Sequence, residues 1–368
     1  MNSGIHYEDN RKHRHERRGH RRNAMKRLLM CLTALLLLAA VGCTHEVPSG
    51  QLTEDGLHVF FLDVGQADCT LIFSDGHAML IDGGNTDDGA FIVSFLKEKG
   101  VTALDYVVAT HAHEDHVGGL TQVLKNFPCK TVYAPVLQAD NAAFTRFARQ
   151  SEQQGGLTQC LRGTRGDLGQ AHFEVLFPFE PEKEENVNNT SVVLRLTLGQ
   201  ASFLFVGDLE RDAESRLLSF DDDLTSAVLK VGHHGSSTST SYYFLRRVLP
   251  QTAVISCGAN NEYGHPHKET IDILNQAEID IWRTDTMGTV EAVTDGALLT
   301  VRAGELVKTA AVLSPTPALD IYYIGNKKSR VFHLPACASL PKENNRVDFS
   351  SREEAISAGY TPCSRCRP

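Results

Sequence analysis

Short apolar runs, rich in β-branched and aromatic residues, recur from residue 57 onward and are separated by Gly-, Asp- and Asn-bearing breaks. Runs of this length read as buried strands. They fall at 57–63, 70–73, 78–81, 106–109, 131–134, 171–177, 192–198, 203–206, 227–231, 252–256, 280–283, 289–293 and 298–303. The second and third form a hairpin around Ser74, Asp75 and Gly76. Between the runs lie stretches with helical periodicity: 90–99, with Ile92, Phe95 and Leu96 on one face and Gly100 closing it, then 117–126, 141–153, 209–220, 241–248 and 269–276. Strands interleaved with helices predict an α/β (α+β) domain over 57–308.

Two stretches break this pattern. Met25, Lys26 and Arg27 precede an apolar stretch at 28–41, which is shorter than the roughly twenty residues a membrane span needs. It reads as a signal segment, 25–43. Ala40-Val41-Gly42-Cys43 resembles a bacterial lipobox, which predicts lipidation of Cys43, a membrane anchor and an extracytoplasmic location; simple secretion is the alternative. Residues 1–24 are a basic extension ahead of Met25, the expected true start, and 44–56 form a polar tether. Near the other end, Ser314, Pro315, Thr316 and Pro317 mark a linker, 309–320, before a small module at 321–368.

Charge is unevenly placed. Residues 43–320 carry 19 Lys/Arg against 38 Asp/Glu, whereas 321–368 carry eight against four. An acidic large domain does not hold a duplex by phosphate neutralisation alone. The nine cysteines do not form a dense disulfide framework. Cys69, Cys129, Cys160 and Cys257 read as buried thiols.

The chemistry concentrates where the 106–109 strand ends. His111, His113, Asp115 and His116 fall within six residues. In extended chain His111 and His113 project to one side, while Asp115 and His116 lie where the chain turns into a helix. Imidazole and carboxylate are the usual protein ligands of zinc and similar divalent ions, so two adjacent metal sites sharing one loop are expected. Asp208 follows a fully apolar run, where a carboxylate can bridge two cations. His233 and His234 follow another. One is expected to bind metal and the other to touch substrate; adjacent strand-end residues point apart, so spacing does not say which. His265 and His267 flank Pro266 on a glycine-bearing loop, with His265 the candidate last ligand or proton donor. His172 reads as a strand histidine in preference to a ligand.

The histidine motif resembles that of metallo-β-lactamase-fold hydrolases, which implies a four-layer αββα sandwich. Phe61-Leu62-Asp63-Val64-Gly65-Gln66-Ala67-Asp68, Leu80-Ile81-Asp82-Gly83-Gly84, the run ending at Gly207-Asp208, Leu229-Lys230-Val231-Gly232-His233-His234 and Tyr263-Gly264-His265-Pro266-His267 make the ComEC-like competence group the nearer resemblance. It implies that Asp63, Gln66, Asp68 and Lys230 lie around the site, that Asp82 supports the histidine loop, and that Asp208 bridges two divalent ions, Zn or Mn. A third histidine of the wider superfamily is missing near Asn189 and Ser191, as in that group. Those two are candidates for lining the pocket.

In the last module, His333 and Cys337 are followed after 25 residues by Cys363 and Cys366. This is zinc-ligand spacing in a segment too short for a self-sufficient core. It resembles the zinc-binding domain of the Ada repair protein. With histidine at the first ligand position the methyl-acceptor chemistry is not implied, whereas one structural zinc is.

The combined expectation is a lipid-anchored dinuclear hydrolase of phosphodiesters, DNA foremost. A metal-bridging hydroxide attacks, Asp115 and Asp208 hold the metals and His265 handles the proton. The competing expectations are a cell-wall phosphocholine esterase or a lactamase or lactonase using the same site, and a non-catalytic ligand-binding protein.

Overall fold

The computed structural model describes residues 56–180 and 186–312, and, in the C-terminal part, 323–334, 337, 339–349, 352–366 and 368. The extension 1–24, the signal segment with Cys43, all of the tether but Gly56, and the Pro-bearing centre of the linker lie outside the described residues.

Among the described residues, two large sheets face each other. One runs, edge to edge, Leu306–Ala311, Leu298–Ala303, Val290–Thr294, Leu57–Phe61, Thr70–Ser74, His77–Ile81, Leu104–Val108, Cys129–Ala134 and Leu157–Gln159. The other runs Asp280–Arg283, Thr252–Ile255, Val228–Lys230, Ala201–Phe205, Val193–Leu198, Ala171–Phe177 and Arg165–Leu168. Val59, Phe61, Phe203, Phe205 and Trp282 pack between them.

The opposite faces are covered too. Phe60, Leu62 and Leu80 pack under the helices Gly89–Glu98, Leu120–Asn126 and Ala142–Ser151. Leu204 and Leu229 pack under Arg211–Leu218, Tyr242–Val248 and Lys268–Gln276. Each central strand therefore buries both faces, which is why its sequence reads as continuous apolar residues and not as an alternation. The result is the expected αββα sandwich.

Several boundaries differ from the sequence expectation. The strand Leu306–Ala311 pairs with Leu298–Ala303, so residues 309–311 belong to the sandwich and not to the linker. Its positions are all exposed, and without burial it leaves no apolar signature. The expected 117–126 helix is two, Glu114–Val117 and Leu120–Asn126, divided at Gly118 and Gly119. Cys69, Cys129, Cys160 and Cys257 are buried free thiols.

The C-terminal part forms its own four-stranded sheet, in the order Arg346–Phe349, Tyr323–Asn326, Val331–His333, Thr361–Pro362. Its apolar cluster is small: Tyr323, Phe332, Leu334, Phe349, Ala355 and Tyr360. Tyr242 and Tyr243 of the sandwich pack against it.

Candidate metal centre

The chemistry sits just beyond the carboxyl ends of central strands from both sheets, where α/β folds collect their ligands. After Leu104–Val108 the chain enters Thr110 and His111; after Ala201–Phe205 it enters Gly207 and Asp208; after Val228–Lys230 it enters His233 and His234. Gly207 has φ of 51°, and a Cβ there would lie 2.9 Å from both Ser191 Oγ and Thr110 Oγ1. Only glycine lets the chain turn Asp208 inward at that point.

Asp208 is the hub. Its Oδ2 lies 3.8 Å from His111 Nε2, 3.4 Å from His116 Nε2, 3.8 Å from His233 Nε2 and 3.7 Å from His234 Nε2. On one side His111 Nε2 is 3.0 Å from His113 Nδ1. On the other, Asp115 Oδ2 lies 3.8 Å from His116 Nε2 and 3.2 Å from His234 Nε2. Asp115, His116, Asp208 and His234 offer ligand atoms within 4.8 Å of one another. Asp208 thus stands between this compact group and the His111–His113 pair.

His233 and His234 both aim at this carboxylate, contrary to the expectation of divergent rings. They have φ of 49° and 53°. Two successive residues in the left-handed region curl the strand end so that both rings turn inward. Strain of this kind costs of order 1–3 kcal/mol per residue and survives only where surroundings enforce it. His234 is buried and joins the Asp115 group; His233 is half-buried, with Nδ1 3.2 Å from Thr238 Oγ1 and 3.3 Å from Glu210 Oε1.

Fixed partners hold the ligands from behind. His116 Nδ1 lies 2.8 Å from Asp82 Oδ2, and the Thr110 hydroxyl donates to the same oxygen at 2.7 Å. That fixes His116 Nε2 as the end facing Asp208. His234 Nδ1 lies 3.0 Å from the Ser256 carbonyl and 3.3 Å from Asp68 Oδ1, while Lys230 Nζ donates to Asp68 Oδ2 at 2.7 Å. The Asp208 N–H donates to Ser191 Oγ at 3.0 Å, and the Glu210 N–H donates to Asn189 Oδ1 at 3.1 Å.

The electrostatics follow from this packing. Burial, and then the His116 charge, push His111 well below the ordinary histidine range, which keeps it in the ligand form. Burial alone would raise Asp208, but His116 and His234 outweigh it and hold the carboxyl well below its usual range. His116 Nε2 and Asp208 Oδ1 are buried with no hydrogen-bond partner among the described residues. Unpartnered buried polar atoms are costly, and a divalent cation that displaces the His116 proton would satisfy both. The residues fit a divalent-metal centre.

A mouth of about 410 Å³, lined by His113, Asp115, Asn188, His233, Tyr263 and His265, opens onto the ligands. Gln66 Oε1 accepts the Gly258 N–H at 3.0 Å, so its Nε2 faces His265 Nδ1 at 3.3 Å and donates. This leaves the N–H of His265 on Nε2. Burial, then the neighbouring His234 and His233, lower His265 to about 4, so it is a neutral donor at pH 7.

Of the residues singled out from sequence, Asp63 stays away: its exposed carboxylate accepts the Gly65 N–H at 3.3 Å and serves the turn. His172 lies on the Ala171–Phe177 strand, largely exposed beside Asp167, and ligates nothing in the centre. Thr110, Glu210 and Asn188 escaped the sequence reading. Thr110 and Glu210 are neighbours of His111 and Asp208 in chain order, and Asn188 adjoins the pocket candidate Asn189; that adjacency is the one signal that points to them.

In the C-terminal module His333, Cys337, Cys363 and Cys366 converge within 4.8 Å. The Leu334 and Ser339 N–H groups donate to Cys366 and Cys337 Sγ, each at 3.4 Å. Three thiols and an imidazole fit a closed zinc site.

The metallo-beta-lactamase superfamily model matches residues 62–259, and the metal binding domain of Ada matches 308–368. ComE operon protein 3 of Bacillus subtilis is 29% identical over 281 residues, covering 71% of this chain and 35% of its own. Recombination protein 2 of Haemophilus influenzae is 30% identical over 277 residues, 73% of this chain and 32% of its own. Competence protein ComA of Neisseria gonorrhoeae is 33% identical over 260 residues, 70% of this chain and 35% of its own. The chain spans about a third of the length of these relatives.

Proposed function

Because the chain belongs to the metallo-beta-lactamase superfamily, whose members are generally metal-dependent hydrolases, we propose that it cleaves phosphodiesters, DNA first among them, outside the cytoplasm from a lipid anchor at Cys43. The observation that carries this reading is the single Asp208 carboxylate facing four histidine nitrogens between two donor groups. The similarity to proteins named for competence and recombination favours DNA as substrate.

Two divalent cations, Zn or Mn, would be held by His111, His113, Asp208 and His233 on one side and by Asp115, His116, Asp208 and His234 on the other, with Asp208 common to both. Bound there, they supply a water ionised near neutral pH and offset negative charge at the reacting phosphorus. The residues of the chain do the rest. Asp82 and Thr110 keep His116 in the ligand tautomer, and Ser191 anchors the Asp208 backbone N–H. His265, its Nε2–H turned to the mouth by Gln66, donates a hydrogen bond to a phosphate or leaving oxygen. One zinc at His333, Cys337, Cys363 and Cys366 is structural.

Incubation of the full chain with plasmid and oligonucleotide DNA in Zn or Mn, beside β-lactam, lactone and phosphocholine-ester panels, tests the substrate. Metal-dependent DNA cleavage abolished by Asp208→Ala is expected. Turnover confined to a carbonyl ester or lactam would overturn it. For the anchor, Cys43→Ser should release the protein from membranes into the medium; unchanged membrane retention would remove that part of the proposal.

A further inference from the structure

The ligand turn that carries His233 continues into a groove that the metal chemistry does not use. The Arg211 N–H donates to the Thr238 carbonyl at 3.0 Å, and Thr238 and Glu210 in turn touch His233. Glu210, Arg211, Asp212 and Thr238 line one wall of a cavity of about 250 Å³; Ser364 and Arg365 of the C-terminal module line the other. Arg211 and Arg365 also line an adjoining cavity of about 270 Å³, together with Tyr242 and Tyr243. Glu210 and Thr238, which touch the ligand histidine His233, thus also border a cavity that holds two arginines contributed by different modules.

Among the described residues neither arginine has a carboxylate oxygen within 4.0 Å; the Arg211 charge acts on the buried Glu214 carboxyl from farther off, and its Nε is buried with no hydrogen-bond partner. Arg365 is exposed and makes one long bond, Nη1 to the Ser339 hydroxyl at 3.4 Å. By contrast Arg162, Arg195, Arg283 and Arg302 each sit on a carboxylate. The carboxylates on the cleft are Glu210, Asp212 and Glu269. Glu210 is already taken, accepting from Asn186 and Asn188 and facing His233. A buried guanidinium N–H without a partner, facing a second guanidinium across a cavity, is the arrangement that a multi-oxygen anion satisfies.

We infer that Arg211 and Arg365 form a phosphate-binding subsite for the substrate strand, so that the C-terminal module completes the substrate groove of the hydrolase. The inference rests on the phosphodiester reading above and specifies where the strand runs beyond the scissile phosphate. A zinc held by His333, Cys337, Cys363 and Cys366 would then also steady Arg365, which adjoins Cys366.

The test compares kcat/KM for a single-stranded 20-mer with kcat/KM for bis(p-nitrophenyl) phosphate, a diester too short to reach the subsite, using the metal-loaded full chain. Arg365→Ala should lower the ratio about tenfold, mainly through KM for the oligonucleotide, and reduce the salt slope of oligonucleotide binding by about one. Arg211→Gln should act in the same direction, and Arg365→Lys should recover part of the loss. Lys308→Ala, which removes a cation elsewhere, should leave the ratio unchanged. An equal loss on both substrates, or an unchanged oligonucleotide KM in a chain that still cuts DNA, would overturn the subsite and leave the hydrolase reading intact. Oligonucleotide binding that depends on Arg365 without cleavage would do the reverse. Loss of neither binding nor cleavage in the double variant also removes the subsite.

Discussion

The chain builds two clusters of ligand side chains, and they differ in what surrounds them. Around Asp208 the donors are nitrogen and oxygen, His116 and His234 are each held by a polar partner behind the ring, and a mouth leads to solvent. Around Cys363 the donors are mainly sulfur, the neighbours are backbone N–H groups, and the apolar cluster is small. The first cluster is carried by a sandwich with three apolar layers of its own. The second must help to make the fold that carries it. Metal bound in the first region would serve chemistry, and metal bound in the second would supply folding free energy.

Asp208→Ala is the sharpest way to break this contrast. Turnover should fall by well over about 100-fold, beyond what losing a supporting partner does, while the thermal midpoint of the sandwich stays near that of the unaltered chain. A collapse in melting temperature comparable to a core truncation such as Phe205→Ala would show that the centre holds the sandwich together after all. Cys363→Ser should do the opposite: amide exchange across Tyr323–Asn326 and Arg346–Phe349 loses its protection, and that across Ala201–Phe205 does not change. Asp82→Asn should lower metal affinity about 10–100-fold, measured by competition with a chelator, because it frees the His116 ring rather than removing a ligand.

The smallest effect concerns pH. Burial, opposed by the Ser241 hydrogen bonds, raises the Glu214 carboxyl from 4.5 to about 7. The folded chain then keeps a proton that the unfolded chain releases between those values. Its contribution is fully present below 4.5 and is lost as pH rises through that window to 7. Chemical denaturation of Glu214→Gln should show a flatter stability profile over the same range, and an identical slope would count against the buried carboxyl as its source.

The clearest parts of the fold in the sequence were those where burial on both faces left continuous apolar runs, as at Phe203, Leu204 and Phe205. The exposed strand Leu306–Ala311 carries no such mark, so residues 309–311 read as linker in the sequence. At the centre, His111, His113, Asp115 and His116 announced themselves by density. The inward turn of both His233 and His234 did not, because it depends on left-handed backbone angles that residue type does not encode outside glycine. Asp63 misled for a related reason: proximity in sequence to Gln66 and Asp68 says nothing about which way an exposed turn residue points.

The two glycines behind the histidine loop have a consequence for how the protein can change. A Cβ at Gly118 would lie 2.3 Å from the Thr86 nitrogen, and one at Gly119 would lie 2.3 Å from the Gly83 carbonyl. This wall has no room for even a methyl group, so it is closed to evolutionary drift. The opposite lip holds Tyr263, which is 60% exposed, and selection for altered substrates should collect its substitutions there.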